Sequence, residues 1–321
     1  MSLSVLNAPE LQSEEAAYEY VEAKLWPDGP ICHHCGVVGR AYAIKGKTAR
    51  VGLRKCAACR KKFTVKMGTI FEDSHVPMTK WLQAIHLLCS SKKGISSHQL
   101  YRILGVTLKT AWFMSHRIRE AMRDGSLASL GHLGGAGNAV EADETFIGRK
   151  KGVPVPKGGT GHKHAVLGLV ERGGKVRTVH IETLTSEEIG GIVRENVARE
   201  AWLMTDEAKH YTEVGKEMAG HSTVNHSDGE YVSFEDATIH TNTIEGYFGL
   251  FKRGMKGIYQ HCDEKHLHRY LAEFEFRYNN RIALGVDDCE RAKAALLGVK
   301  GKRLTYRPPY KGQIGSLLVY L

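Results

Sequence analysis

Four of the seven cysteines stand as two CxxC pairs, Cys32-His33-His34-Cys35 and Cys56-Ala57-Ala58-Cys59, with twenty residues between them. A CxxC turn places two thiolates on one side of a tight knuckle. Two knuckles complete a tetrahedral sulfur shell closed to water, the arrangement that structural zinc favours. Cys32, Cys35, Cys56 and Cys59 are therefore the expected zinc ligands. A redox-active dithiol is the competing reading, but such pairs usually sit where a strand feeds a helix, and two copies at ribbon spacing are better explained by metal. From Ile31 to about Ile70, short strand-like runs such as Lys62-Phe63-Thr64-Val65 alternate with glycines, which predicts a small antiparallel zinc ribbon that needs its metal to fold. Cys89, Cys262 and Cys289 are scattered singly and read as small buried hydrophobes in a reducing cytoplasm.

Charge follows the same segment. Lys plus Arg number 45 against 35 for Asp plus Glu, yet no acid lies between Asp28 and Glu72 while ten bases do. The rest of the chain therefore balances at 35 against 35, and the whole excess belongs to the ribbon. A solvated face is the plain alternative, but an uncompensated basic run built around a metal motif favours a nucleic-acid partner. Arg54, Lys55, Arg60, Lys61 and Lys62 are the candidate DNA contacts here.

A leader helix is expected within residues 1–30, starting at Ser13 and stopped by Trp26-Pro27-Asp28-Gly29-Pro30, and the ribbon occupies 31–70. Residues 77–123 carry three helical patterns, at about 78–91, 96–104 and 107–122, the last capped by Thr107. Two short helices joined by a glycine-containing turn give a helix-turn-helix-like layout, with Lys109, Thr110, Phe113 and Arg117 facing DNA, although a plain three-helix packing unit has the same pattern. A glycine-rich linker covers 124–137, and 286–321 reads as a tail whose Lys302, Arg303, Arg307 and Lys311 could meet DNA or a partner. The first twenty residues hold no apolar core of signal-peptide length, and no run approaches the roughly 20 apolar residues of a membrane span, so secretion and membrane insertion are not expected.

Beyond the linker, residues 138–285 read as one domain. Strand patterns occupy 139–147, 164–171 and 175–183, with Arg172-Gly173-Gly174 as a hairpin turn. A helix from Ser186, a strand at 201–206, a helix at about 208–219, a strand at 222–226 and helices from about 242 follow. That order predicts an α/β mixed five-stranded sheet with helices on its faces, the order of the ribonuclease H-like fold. Asp143 in the first strand and Asp206 closing the fourth can meet at one sheet edge if those strands are neighbours. Glu245 supplies a third acid from a following helix, and Lys252, seven residues on, returns to within about 20° of it. Three hard oxygen ligands can hold two divalent ions for an in-line phosphoryl displacement, with Lys252 and Arg253 on the DNA backbone. Glu141 and Glu144 read as surface neighbours. In HLHRYLAEFEFRYNNR, Tyr270, Phe274 and Tyr278 form a core stripe, and Arg269, Arg277 and Arg281 are expected on phosphates.

These stretches carry a resemblance. CHHC and CAAC, KFTVKMGTIFEDSHVPMTKWLQAIHLL, GVTLKTAWFMSHRIREAM, VEADETFIGRKK, TDEAKHYTEVG, HTNTIEGYFGLFKRGMKGIYQH and HLHRYLAEFEFRYNNR cover most of residues 15–285. In that order they resemble the bacterial insertion-sequence transposases that join an N-terminal zinc ribbon to a DDE catalytic domain. The resemblance implies a cytoplasmic recombinase that uses Mg2+ or Mn2+ and acts as a homo-oligomer on double-stranded DNA, at the ends of its own element and at a target. It puts Asp143 and Asp206 in the two aspartate places and Glu245 with Lys252 in the third motif. Asn242, one helical turn earlier, is the alternative third ligand, though an amide oxygen binds a hard cation more weakly than a carboxylate. The implied activity is cleavage at element ends followed by attack of the freed 3′ hydroxyl on target DNA. Two rivals are a catalytically inactive zinc-ribbon DNA-binding regulator and a related nuclease that hydrolyses without joining.

Overall fold

Pro9 starts a single helical turn, α1 (Pro9–Gln12), and Ser13 then opens the leader helix α2 (Glu14–Leu25) by accepting a hydrogen bond from the Ala16 amide at 3.4 Å. The computed structural model describes residues 4–46, 48–123, 131–305 and 319–320, in two compact units, one formed by 1–123 with 287–321 and the other by 124–286. Lys47, residues 124–130 of the expected linker, and Arg307 and Lys311 of the tail lie outside the described residues.

In the first unit the ribbon is three short antiparallel strands, β1 (Ala41–Ala43), β2 (Arg54–Cys56) and β3 (Lys62–Phe63). Its own core is small: Cys32, Cys56 and Phe63 are buried, with Trp26 and Met67 packed against them. The leader helix sits close to it at Gly52, whose left-handed backbone (φ +70°) and missing Cβ make room for the Tyr18 ring. Arg54, expected on DNA, turns to α2, where its guanidinium forks onto Glu22 with Nε 3.1 Å from both carboxylate oxygens. Lys66 likewise donates inward, to the carbonyls of Ser74 and Val76. Lys55 is half-buried, whereas Arg60, Lys61 and Lys62 are exposed.

Three helices follow, α3 (Met78–Ser90), α4 (Ser97–Leu104) and α5 (Leu108–Met122). Pro77 has no side chain to cap α3. Glu14 of α2 does so instead, accepting from the amides of Met78 (2.7 Å) and Thr79 (3.1 Å). Gly105 ends α4 in the left-handed conformation, and Thr107 caps α5 by accepting from the Thr110 amide at 3.1 Å. Lys109 is exposed, and the Thr110 hydroxyl is engaged by that of Thr107 at 2.8 Å.

Arg117 corrects the expectation of a DNA-facing side chain. It is 4% exposed and donates to the carbonyl oxygens of Ile70 (2.6 Å), Glu72 (2.8 Å) and Leu304 (3.0 Å), with Phe113 stacked beneath it at 4.5 Å. Burial draws its pKa down to about 10. The acceptors come from two segments, 70–72 and Leu304, each 45 residues or more from Arg117, so helical spacing alone gives no sign of them. Arg117→Ala is expected to lower the stability of this unit by about 3 kcal/mol in urea unfolding, because those carbonyls lose their donors inside the protein, while exposed Lys61→Ala stays within about 0.5 kcal/mol of the unaltered chain.

The second unit is built on a five-stranded mixed sheet from β4 (Ala139–Ile147), β5 (His164–Glu171), β6 (Val176–Ile181), β7 (Trp202–Asp206) and β8 (Gly220–Val224). Their order is β6-β5-β4-β7-β8. The pairs among β6, β5 and β4 are antiparallel and those among β4, β7 and β8 parallel, as the element order predicts for a mixed sheet. Between them lie α6 (Ser186–Asn196) and α7 (Thr212–Gly215), and after β8 come α8 (Asn242–Gly254) and α9 (Glu264–Asn279). The helix expected at 208–219 is only a 3-10 turn (Lys209–Tyr211) followed by α7. Its later amides bond three residues back, as Lys216 to Glu213 and Met218 to Gly215, while the chain turns to lay β8 beside β7.

Side chains alternate between two cores. Val140, Ala142, Leu167 and Leu169 pack with Ile189 and Val193 of α6, while Val166, Val170 and Val176 pack with Ile244, Phe248 and Phe251 of α8 and Tyr270 and Phe274 of α9. The aromatic stripe of α9 is core, as its spacing predicts. Its arginines do not reach out to phosphates. Arg269 is 1% exposed and bonds His266, Arg277 pairs with Glu273 over the Phe274 ring, and Arg281 donates to the Gly174 carbonyl. A buried helix can carry arginine if each guanidinium finds an internal acceptor, and here each does.

Residues 287–305, read as part of a tail, return to the first unit. Asp287 caps α10 (Asp288–Leu297), which packs on α3, and Arg291 donates to the Cys89 carbonyl at 2.9 Å. Two short parallel strands, β9 (Leu304–Thr305) and β10 (Val319–Tyr320), follow.

Candidate active site

Because β4 and β7 are parallel neighbours with Glu141 beside Met204, continuing that register by two residues sets Asp143 beside Asp206. Asp143 points to the α8 face, as its cross-strand partner Gly168 shows. A Cβ on Gly168 would lie 2.6 Å from Phe248 and 2.7 Å from Ile244, so the bare backbone is what lets α8 seat here. Glu245 stands in the first turn of that helix. The sheet and α8 thus bring Asp143, Asp206 and Glu245 within electrostatic reach of one another. Burial, followed by the charges of Glu144, Asp206 and Glu245, pushes Asp143 up to about 7. Burial also raises Asp206, with Glu144 and Glu207 adding to it.

Local hydrogen bonds hold the two aspartates. Asp143 accepts from the Glu144 amide at 2.7 Å, and Asp206 from the Ala208 amide at 3.0 Å. Glu245 accepts from the Thr241 hydroxyl at 3.3 Å and lies 3.4 Å from His226 Nε2. Asn242 is the exposed first residue of α8, Lys252 is half-buried in its last turn and Arg253 is exposed. The ligand atoms of the three acids do not all fall within 4.8 Å of one another, unlike those of two other groups among the described residues. Carboxylates around a pair of cations are spread by the few ångströms between the ions.

Of the two acids that read as surface neighbours, Glu141 is buried and organises this face, while Glu144 is half-buried. Glu141 is fully buried and accepts from the α8 amides of Thr243 (2.8 Å) and Ile244 (3.0 Å), capping the helix that carries Glu245. Its charge is met by Arg172 from the β5–β6 turn at 2.6 Å, and Arg172 also holds the Thr238 and His240 carbonyls ahead of α8. Glu144 points to the other face, where Tyr211 donates to it and His210 lies 3.0 Å away. That contact is the first cause of the raised His210 pKa. The sequence signal for both is a strand rich in acids at the centre of a sheet covered on both faces, where a carboxylate must find a donor. Glu141→Ala is expected to cost about 3–5 kcal/mol in the thermal unfolding of this unit, since it leaves Arg172 and two helix amides without their acceptor.

The cysteine knuckles form the second centre. Cys32 Sγ lies 3.6 Å from Cys59 Sγ, and Cys35 Sγ 3.7 Å from Cys56 Sγ. A tetrahedron with Zn–S bonds of ~2.3 Å has edges of about 3.8 Å, so these two spacings, with all four sulfurs within 4.8 Å of one another, fit a zinc ion. Backbone amides, first that of Cys59, draw the Cys56 thiol down to about 7 and favour the thiolate a metal needs. His34, which could have competed as a ligand, is turned to the Lys62 carbonyl at 3.1 Å.

A ribbon with four clustered cysteines and a mixed sheet with three acids on one face are the two features against which the comparisons with known proteins can be set. Residues 133–279 match the family model described as the ISXO2-like transposase domain, and residues 12–62 match the transposase zinc-ribbon domain. These two stretches are thus similar to insertion-sequence transposase domains of the IS1595 type. It is 26% identical over 283 residues to an uncharacterized protein in transposable element ISH50 of Halobacterium salinarum, spanning 83% of this chain and 90% of that protein. Among solved structures it is similar to the Mos1 strand transfer complex (13% identity, TM-score 0.25) and to a pre-cleavage Mos1 transpososome (14%, 0.27). Each of these two comparisons covers 68% of this chain and 74% of the other.

Proposed function

We propose that this chain is a transposase that cuts DNA at the ends of an insertion sequence and joins the freed 3′ ends to a target, through Asp143, Asp206 and Glu245 on a ribonuclease H-like domain. One observation carries the reading: three acids from β4, β7 and α8 share a face, where burial first, and then the charges of Glu144, Asp206 and Glu245, raise Asp143 to about 7. Such an excess of half-buried negative charge, made of hard oxygen donors, fits divalent cations. Bound Mg2+ or Mn2+ would supply activation of the attacking hydroxyl and neutralisation of the leaving oxygen.

The chain's own residues do the rest. Glu141 and Arg172 fix the start of α8 and so the position of Glu245; they act as positioning residues. Glu245 is preferred over Asn242 because its charge acts on Asp143 and a carboxylate is the stronger ligand. Lys252 and Arg253 at the far end of α8, with Arg60, Lys61, Lys62 and Lys109 of the first unit, are assigned to DNA phosphates. Arg54 and Arg117, with internal partners, are withdrawn from that set.

The test is incubation of the chain with duplex bearing its element's ends and Mn2+, then with pre-cleaved ends and target. End cleavage and strand joining are expected. Binding without cutting would make the chain a DNA-binding regulator, and cutting without joining a nuclease.

A further inference from the structure

β5 begins at His164, and β6 carries His180 opposite Val166, so both imidazoles leave the same face of the sheet, the one covered by α8 and α9. Glu264 is the first residue of α9. Its Oε1 lies 3.7 Å from His164 Nδ1 and 3.9 Å from His180 Nε2, and the three ligand atoms all fall within 4.8 Å of one another. The two rings meet edge to face with centroids 5.4 Å apart. Both of these ring nitrogens are buried and neither has a hydrogen-bond partner, and the His164 side chain is only 4% exposed. Buried nitrogens normally find a partner, and two of them directed at one carboxylate from beyond hydrogen-bond range call for a group between them.

We propose that His164 Nδ1, His180 Nε2 and Glu264 Oε1 form a second metal site, distinct from the cysteine cluster and from the Asp143 face, and that it takes Zn2+ or a similar borderline divalent cation. Two imidazoles and one carboxylate with a fourth position left for water are a donor set zinc accepts. A tetrahedron with bonds of ~2.1 Å has edges of about 3.4 Å, so the two separations from Glu264, 3.7 and 3.9 Å, are within roughly half an ångström of such a shell. The Glu264 side chain is 58% exposed and can close that difference. Burial, and then the neighbouring His164, lower the His180 pKa and keep its ring a neutral donor; Lys150 acts the same way, while Glu264 and Glu182 oppose it. A cavity of about 260 Å3, lined by His164, Lys163, Gln260 and Cys262, can deliver the fourth ligand as water. The cation would fasten the start of α9 to β5 and β6.

The test counts metal in the full chain. After equilibration with zinc and exchange into zinc-free buffer, the unaltered chain is expected to retain one zinc more than E264Q and H180A. In the cobalt-loaded protein, each variant should lose the nitrogen- and oxygen-ligated d–d absorption while keeping the thiolate-to-metal charge-transfer band of the ribbon. E264Q alters an exposed side chain, so its thermal unfolding serves as the check that the fold is kept. Equal zinc content in all three proteins, or an unaltered chain whose only cobalt spectrum is that of the thiolate site, would overturn the proposal.

Discussion

Asp143→Asn should leave Mn2+-dependent DNA cleavage at least ~1000-fold below that of the unaltered chain, and should at the same time make the metal-free protein more stable near pH 8. The first effect follows from removing a charged oxygen ligand: a loss of about 4 kcal/mol in transition-state stabilisation is roughly three powers of ten in rate. The second follows from linkage. Asp143 is raised from 3.8 to about 7 in the folded chain, so between those values the folded state holds a proton that the unfolded state has released. The contribution of Asp143 to the stability of the metal-free protein is therefore fully present below about pH 4 and is lost as pH rises through about 7, by roughly 2–4 kcal/mol for a half-buried group. Asparagine carries no charge, so the variant escapes that decline. Saturating Mn2+ should reverse the ranking, stabilising the unaltered chain more than the variant. Thermal unfolding at pH 5 and pH 8, with and without Mn2+, measures all of this beside the cleavage assay. A variant that loses cleavage and is also less stable at pH 8 without metal would show damage to the fold instead, and the assignment of Asp143 as a ligand would fail.

The same residues show what the sequence discloses and where it stops. Caps such as Ser13 and Thr107 are local, because the acceptor and the amide it meets are three residues apart, so helix starts are legible. Asp143 and Asp206 stand out because strand patterns place both, and only the pairing of β4 with β7 had to be supplied by the fold. The internal partners of Glu141 and Glu144 are not legible in the sequence for the opposite reason. Their partners, Thr243 with Arg172 and Tyr211 with His210, are separated from them by 31 residues or more, and alternation along a strand tells which side an acid faces but not what covers that side. Arg117, Arg269, Arg277 and Arg281 repeat the lesson with the sign reversed. Charge near a suspected DNA-binding segment favours phosphate contact, yet a guanidinium supplied with internal acceptors is a structural strut. Such struts recur where the chain closes long loops, as at Arg117 beneath Leu304 and Arg281 beneath Gly174. The functional reading therefore leans on the acids, whose convergence depends on sheet topology, more than on any single base.

Removal of zinc should unfold the ribbon while leaving the sheet unit folded. Strands of two and three residues around three buried side chains cannot offset the entropy of ordering some forty residues, so the free energy of the fold has to come from the metal, on the order of 10 kcal/mol or more for a structural site at neutral pH. Cys56→Ser is the sharpest form of the experiment, because Cys56 is fully buried and lies 3.7 Å from Cys35. Trp26 packs edge to face on Phe63 with centroids 5.8 Å apart, so loss of the ribbon should expose that indole and shift its emission to the red. Limited proteolysis should then open the basic segment, whereas the fragment containing β4 to α9 persists. Affinity for end-bearing duplex should fall at least ~100-fold, because Arg60, Lys61 and Lys62 lose the frame that presents them and their phosphate contacts go with it. A zinc-selective chelator followed by added Mg2+ should reproduce the Cys56→Ser result, and restoring zinc should reverse it. If the chelated chain keeps its ribbon protected from protease and its Trp26 emission unshifted, the four cysteines are not what holds that segment together.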